Sequence, residues 1–199
     1  MKSNVCKIEK GNSALSAIRH ESQKVADYNA FTNKQALQLR LLCEELDGML
    51  PRLMDNYEGE FWIDYEGNVC KITASIKLSE LTANKKKELI SLSKNKKNAA
   101  SVGIVGKIRS VIENFFLDEE KLQNYNISTS MYNYPADCGV GVDYSCLWSL
   151  SQYKSTVKQQ AKEESWDELE KSIIASLADD VIVGVKGKQA SIVVIKKFA

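Results

Sequence analysis

From Ala36 to Asn56 the chain repeats its apolar residues with the period of a helix. At about 100° per residue, Leu39, Leu42, Cys43, Leu46, Met49, Leu50, Leu53 and Met54 fall in one arc. Arg40, Glu44, Glu45, Asp47, Gly48 and Arg52 fill the opposite side, with Leu37 and Leu41 as apolar exceptions. The pattern predicts a core helix that turns a second, carboxylate-rich face outward. Thr32 followed by Gln35 is a capping box that opens it. Pro51 removes a hydrogen bond and crowds the carbonyl one turn back, which predicts a kink near Asp47. Gly48 has two readings: the helix bends there to follow a sheet, or a ligand or another backbone comes close.

The same reading places the remaining elements. Val5 to Glu9 alternates weakly and predicts an edge strand. Asn12 or Ser13 is a candidate cap for a helix running to about Asn29, with Leu15, Ile18, Val25 and Tyr28 on its buried side and Ser22 between them. His20, the only histidine, falls on the polar side. Phe61, Ile63 and Tyr65 alternate with Glu60, Trp62, Asp64 and Glu66, which is strand periodicity. After the turn Glu66-Gly67-Asn68, the positions Cys70, Ile72, Ala74, Ile76 and Leu78 continue the alternation as the second arm of a hairpin.

Leu81 to Leu92 predicts a turn or short helix, and Ser93 to Asn98 a basic loop. The stretch from Ala99 to Phe116 predicts a helix burying Val102, Val105, Ile108, Ile112 and Phe115 or Phe116. Gly103 and Gly106 in its first turns cost roughly 1 kcal/mol each relative to alanine, which implies tight packing or a loop reaching past Gly106. Residues 118 to 141 break all periodicity and form an irregular insertion, of a length that is usually functional or mobile. Val142 to Ala161 returns to helical spacing through Leu147, Leu150, Tyr153 and Val157. Ser165 and Glu168 form a second capping box, opening a helix with Trp166, Leu169, Ile173 and Leu177 on one face. Asp180 to Lys186 and Gln189 to Phe198 are β-branched runs that predict a closing hairpin. This order describes one layer of helices over a mixed sheet, an α+β domain spanning residues 1–199.

Composition narrows the function classes. The chain has 199 residues, 44% of them hydrophobic, enough for one sizeable core. With 27 basic and 26 acidic residues the charge nearly cancels, which argues against nucleic-acid binding through a broad positive field. The lysines between Lys85 and Lys97 then form a solvated face. No apolar run approaches the ~20 residues of a membrane span, and the first residues lack a signal-peptide core, so a cytoplasmic location with no membrane partner is expected. Cys6, Cys43, Cys70, Cys138 and Cys146 make no Cys-x-x-Cys pair, which argues against a zinc site. Cys43 and Cys70 lie at apolar positions and are expected to be reduced, buried thiols. A cysteine enzyme using Cys138 or Cys146 needs an activating base, and His20 is remote in sequence.

Leu39 to Leu50 resembles the N-box helix of the GHKL ATPase superfamily, which includes histidine-kinase catalytic domains and anti-sigma-factor serine kinases. The hairpin from Glu60 to Leu78 and the closing strands from Asp179 follow in the order of that fold's strands. Leu41 to Leu50, with Tyr57 to Ile63 behind it, is also similar to a family of bacterial proteins of unassigned function. The resemblance implies a two-layer histidine-kinase-like fold, with helices on one face of a mixed, mostly antiparallel sheet. It implies that Glu45 is the glutamate that orients an attacking water or substrate hydroxyl, with Glu44 the acidic residue preceding it.

Two departures follow. The superfamily's magnesium-binding asparagine falls at Met49, and a thioether is a poor ligand for a hard cation. Asp47 lies about 200° around the helix from Glu45, so it does not share that face. The superfamily's Asp-x-Gly-x-Gly, whose aspartate reads adenine, has no counterpart, because Ile76 to Asn98 contains neither aspartate nor glycine. Gly103, Gly106 and Lys107 stand about where a glycine-rich lid leads into a helix, and such a segment presents N–H groups to an anion.

Two functions are therefore expected. The first is a degenerate domain without cofactor, acting as a regulatory or protein-interaction module through a protein partner or as a homodimer. Tyr125, Tyr132 and Tyr134 are candidate contact residues for it. The second is an active ATPase or anti-sigma-type serine kinase using ATP and Mg2+. In that reading Glu45 is the base, with Glu44, Gly48, Gly103, Gly106 and Lys107 forming the nucleotide pocket.

Overall fold

A computed structural model describes residues 1–11, 14–54, 56–78, 103–109, 111–112, 145–159, 172–186 and 189–198. Its framework is a six-stranded sheet made from β1 (Cys6–Glu9), β2 (Tyr57–Glu66), β3 (Val69–Leu78), β4 (Ser145–Ser149), β5 (Asp180–Lys186) and β6 (Gln189–Lys197), in the order β1-β2-β3-β6-β5-β4. Every pairing in it is antiparallel, so the mostly antiparallel sheet expected from the resemblance is antiparallel throughout the described strands. The β2–β3 hairpin closes on Gly67 (φ 53°) and Asn68 (φ 72°). Two central residues at positive φ are what a tight two-residue hairpin turn demands, and Gly-Asn supplies them at little cost. At the centre β3 pairs with β6 from Val69↔Lys197 to Lys77↔Gln189, a contact between distant parts of the chain.

The helices are α1 (Leu15–Tyr28), α2 (Asn33–Leu53), α3 (residues 103–109 and 111–112), α4 (Leu150–Gln159) and α5 (Ile173–Leu177). α1 packs on β2, α2 on β3 and against both α1 and α5, and α4 along β4 and β5. The α2 arc read from the sequence is the one buried: Leu39, Leu42, Cys43, Leu46, Met49, Leu50 and Leu53 all enter the core, with Met54 packed at its rim. They meet Phe61, Ile63, Cys70, Ile72, Ala74, Ile76, Ile192 and Val194 from the sheet. The central strands are buried on their other face too, at Thr73, Ser75, Ile182, Ser191 and Val193. That explains why β5 and β6 read as nearly continuous apolar runs rather than as clean alternations. Among the described residues no helix is long and apolar enough to cross a membrane.

Several expectations change. Tyr28 is 75% exposed; the buried side of α1 is Ile18, Ser22, Val25 and Ala26 with the carboxylate Glu21, and Leu15 is only half-buried. Ala14 occupies the cap position of α1 without a side-chain bond, and Asn12 and Ser13 lie outside the described residues. Ser145 to Ser149 is a strand instead of the start of a helix, because β5 offers it a ladder from Ser145↔Val185 to Ser149↔Ile182 that outweighs local spacing. In α3 the core residues are Ile104, Ile108 and Ile112, spaced one turn apart, and Val105 is only partly buried. In α5 the buried pair is Ile174 and Ala175, while Ile173 is exposed, and Ser172 caps the helix by accepting from Ala175 N–H. The stretches 79–102, 113–144 and 160–171 lie outside the described residues. They hold the basic loop, the irregular insertion, the three candidate tyrosines, Cys138 and the second capping box.

Candidate functional site

The outward side of α2 carries three of the six sequence-predicted site residues, Glu44, Glu45 and Gly48, and its placement begins at the helix start. Thr32 Oγ1 accepts from Gln35 N–H at 3.4 Å while Thr32 N–H donates to Gln35 Oε1 at 2.9 Å, completing the expected capping box. The helix then runs unbroken through Pro51 to Leu53. Its rotation is set by the buried arc, which turns Leu37, Leu41, Glu44, Glu45 and Gly48 away from the sheet.

Glu44 is held by two guanidinium groups. Arg19 Nε of α1 lies 2.6 Å from Glu44 Oε1, and Arg40 Nε, one turn earlier on α2, lies 2.7 Å from the same oxygen. The hydrogen bond from Arg19, then that from Arg40, keeps the Glu44 carboxyl below the usual carboxylate range. This carboxylate therefore ties α1 to α2. The Arg40 half of the clamp was legible as an i,i+4 pair; Arg19 comes from another helix and left no local signal.

The neighbouring positions divide between core and solvent. Glu45 is half-buried. Asp47 is half-buried as well, and desolvation raises its carboxyl above the ordinary value. Tyr57, at the start of β2, has its phenol raised by burial and then by the charge of Asp47. Gly48 is exposed, and a Cβ built there would meet nothing within 4 Å. Among the described residues no backbone makes the close approach that Gly48 would allow. Met49 is 1% exposed and belongs to the core cluster.

The second set of candidates lies on α3. Gly103 has φ 75°, a conformation suited to glycine, and a Cβ built there would meet nothing within 4 Å among the described residues. Gly106 is buried within the helix, so it is a packing residue and does not present a loop N–H to an anion. Lys107 Nζ lies 5.5 Å from the ring centroid of Tyr153 on α4, a cation–π contact. The interactions described join Glu44 to α1 and Lys107 to α4, rather than one candidate set to the other.

The donor chemistry is correspondingly limited. A hard divalent cation takes oxygen ligands, and at the position where the resemblance places an oxygen donor there is a buried thioether. Among the described residues no group of three His, Cys, Asp or Glu side chains is placed to hold a metal ion. His20 is exposed on α1, as expected. Cys6, Cys43 and Cys70 are buried free thiols. Burial pushes Cys70 up to about 12 and Cys43 well above its ordinary value, so neither supplies a thiolate nucleophile at neutral pH. What α2 does present is a surface, with Leu37 56% exposed, Leu41 half-buried one turn on, and the exposed Gly48 beyond it.

Compared with protein-family models, with curated proteins and with solved structures, the chain matches none.

Proposed function

We propose that this chain is a non-catalytic protein-binding module, a degenerate relative of the histidine-kinase-like ATPases, whose contact surface is the outward side of α2. The observation that carries the reading is Met49. It stands where an oxygen ligand would be needed for the metal that bridges a nucleotide's phosphates, and it is 1% exposed within the core. Glu44 adds to this, since its carboxylate already serves two arginines. The stripe Leu37, Leu41 and Gly48 supports contact with a protein. Two apolar side chains and a residue without a side chain suit a partner that buries an apolar group and brings its backbone close.

Two measurements test the proposal. Calorimetric titration with ATP and Mg2+ is expected to give no saturable heat; saturable micromolar binding would replace this reading with that of an active ATPase or serine kinase using Glu45. A photo-cross-linking side chain at position 37 or 48, in cells of the source organism, is expected to trap one discrete partner. The same probe at His20 should not. Equal labelling from all three positions would count against the α2 surface.

A further inference from the structure

The outward side of α2 has a pattern that is complementary to itself. Its central line runs through Leu37, Leu41, Glu44, Gly48 and Pro51, which at about 100° per residue fall within about 80° of one another. Leu37 is 56% exposed, Gly48 and Pro51 are exposed, and Leu41 and Glu44 are half-buried. Arg40 lies on one flank of this line, and Lys34, Glu45 and Arg52 lie on the other. The line thus carries one protruding leucine near the helix start and, three turns later, a residue with no side chain. A Cβ built at Gly48 would meet nothing within 4 Å among the described residues.

We infer that the protein bound by this surface is a second copy of the chain, α2 against α2 and antiparallel about a two-fold axis. The inference rests on the reading of α2 as the contact surface and names what covers it. A two-fold interface must match its own pattern read backwards, and this decides the register. An axis level with Gly48 sets glycine against glycine but carries Leu37 past the end of the partner helix. An axis level with Leu41 sets Leu37 against Glu45. An axis between Leu42 and Cys43 sets Leu37 of each copy against Gly48 of the other, a knob facing a hole. At 1.5 Å rise per residue the two Leu41 side chains then stand about 4.5 Å apart along the helices, packed on each other beside the axis.

Charge fits the same register on the first flank. Within one chain Glu44 Oε1 already holds Arg19 at 2.6 Å and Arg40 at 2.7 Å, and the Arg40 side chain is still 51% exposed. In an antiparallel two-fold pair like flanks meet. Arg40 of each copy therefore stands within one residue of the level of Glu44 of the other, and the two clamps join into one network of alternating charge. On the second flank Lys34 falls beside Arg52 of the other copy, an unfavourable pair at each end of the contact.

Sedimentation equilibrium of the full chain tests this. One helix face makes a small interface, so a weak dimer is expected, with a dissociation constant of about 100 μM. Gly48→Leu fills the hole and should weaken it about tenfold while melting no lower than wild type, because leucine forms helix better than glycine. Leu37→Ala removes the knob and should also weaken it about tenfold. An equimolar mixture of these two variants should associate about as well as wild type, since in the mixed pair each leucine faces a small residue. Lys34→Glu should tighten the dimer about fivefold by turning the repulsion from Arg52 into attraction. Circular dichroism and melting confirm that the variants fold. A wild-type chain that stays monomeric to about 1 mM overturns the inference. So does self-association that ignores Gly48→Leu and Leu37→Ala, or folded variants that fail to associate when mixed. If the chain is monomeric and a cross-linker at position 37 still traps a different protein in cells, the second copy is wrong and α2 remains the contact surface. If it is monomeric and nothing is trapped, both are wrong.

Discussion

Replacing Met49 with asparagine introduces the residue type that the resemblance would place there as a metal ligand, and the structure predicts what that does. The Met49 side chain is 1% exposed among Leu46, Leu50 and Leu53. Removing it forfeits about 1.5–3 kcal/mol of apolar burial. The asparagine amide enters an apolar core cluster, where an unpaired amide costs about 1–3 kcal/mol more. The sum, about 3–6 kcal/mol, is a large part of the 5–15 kcal/mol that typically holds a domain folded. Urea denaturation of Met49→Asn should therefore show a midpoint far below wild type, without gain of ATP or Mg2+ binding. Met49→Leu, which keeps volume and polarity, should lose less than about 1.5 kcal/mol. If Met49→Asn loses under about 1 kcal/mol and acquires saturable binding of ATP with Mg2+, then position 49 faces a site and the reasoning is wrong.

Three further predictions follow from packing and charge. A Cβ on Gly59 would lie 2.1 Å from Ser75 O and 2.9 Å from Ile76 Cα, both backbone atoms, so Gly59→Ala should destabilise by about 2–4 kcal/mol in thermal or urea unfolding. Burial raises the Glu21 carboxyl, but hydrogen bonds from Lys24 and Asn4 outweigh it and leave it lowered, whereas burial leaves Asp47 raised; the two should act with opposite sign on stability against pH. Glu21→Gln should lose about 1–2 kcal/mol at neutral pH, a loss that disappears as pH falls through the lowered value, while Asp47→Asn should gain stability that is full above the raised value and vanishes below the ordinary aspartate range. Cys43 and Cys70, fully buried with raised thiols, should react with a disulfide reagent only at the rate of unfolding, so prompt labelling of either in the folded chain would contradict the core assignment.

The elements legible in the sequence are those whose signals are local. The buried arc of α2 follows from apolar residues recurring every turn, and its start from a Thr32–Gln35 exchange within four residues. The β2–β3 hairpin follows from strict alternation around Gly67 and Asn68, which tolerate the positive φ of the turn. The elements misread are those where a distant partner overrides local spacing. Leu147, Leu150, Tyr153 and Val157 recur at helical intervals, yet Ser145 to Ser149 joins the sheet because β5 supplies main-chain partners. Tyr28 fits the apolar stripe of α1 but is left 75% exposed at the last residue of that helix.

The candidate site divides the same way. That Glu44, Glu45 and Gly48 face away from the core is a consequence of helix geometry and could be read from spacing alone; that Met49 falls where a metal ligand stands is only what the resemblance implies. Only the tertiary structure decided what those residues touch: Arg19 arrives from α1 to occupy Glu44, Lys107 turns to Tyr153, and no described residue fills the space beside Gly48. Periodicity sets which way a side chain points relative to its own backbone, within a few residues. Which group waits there depends on how elements far apart in the chain pack, and that is settled by burial and pairing summed over the whole fold.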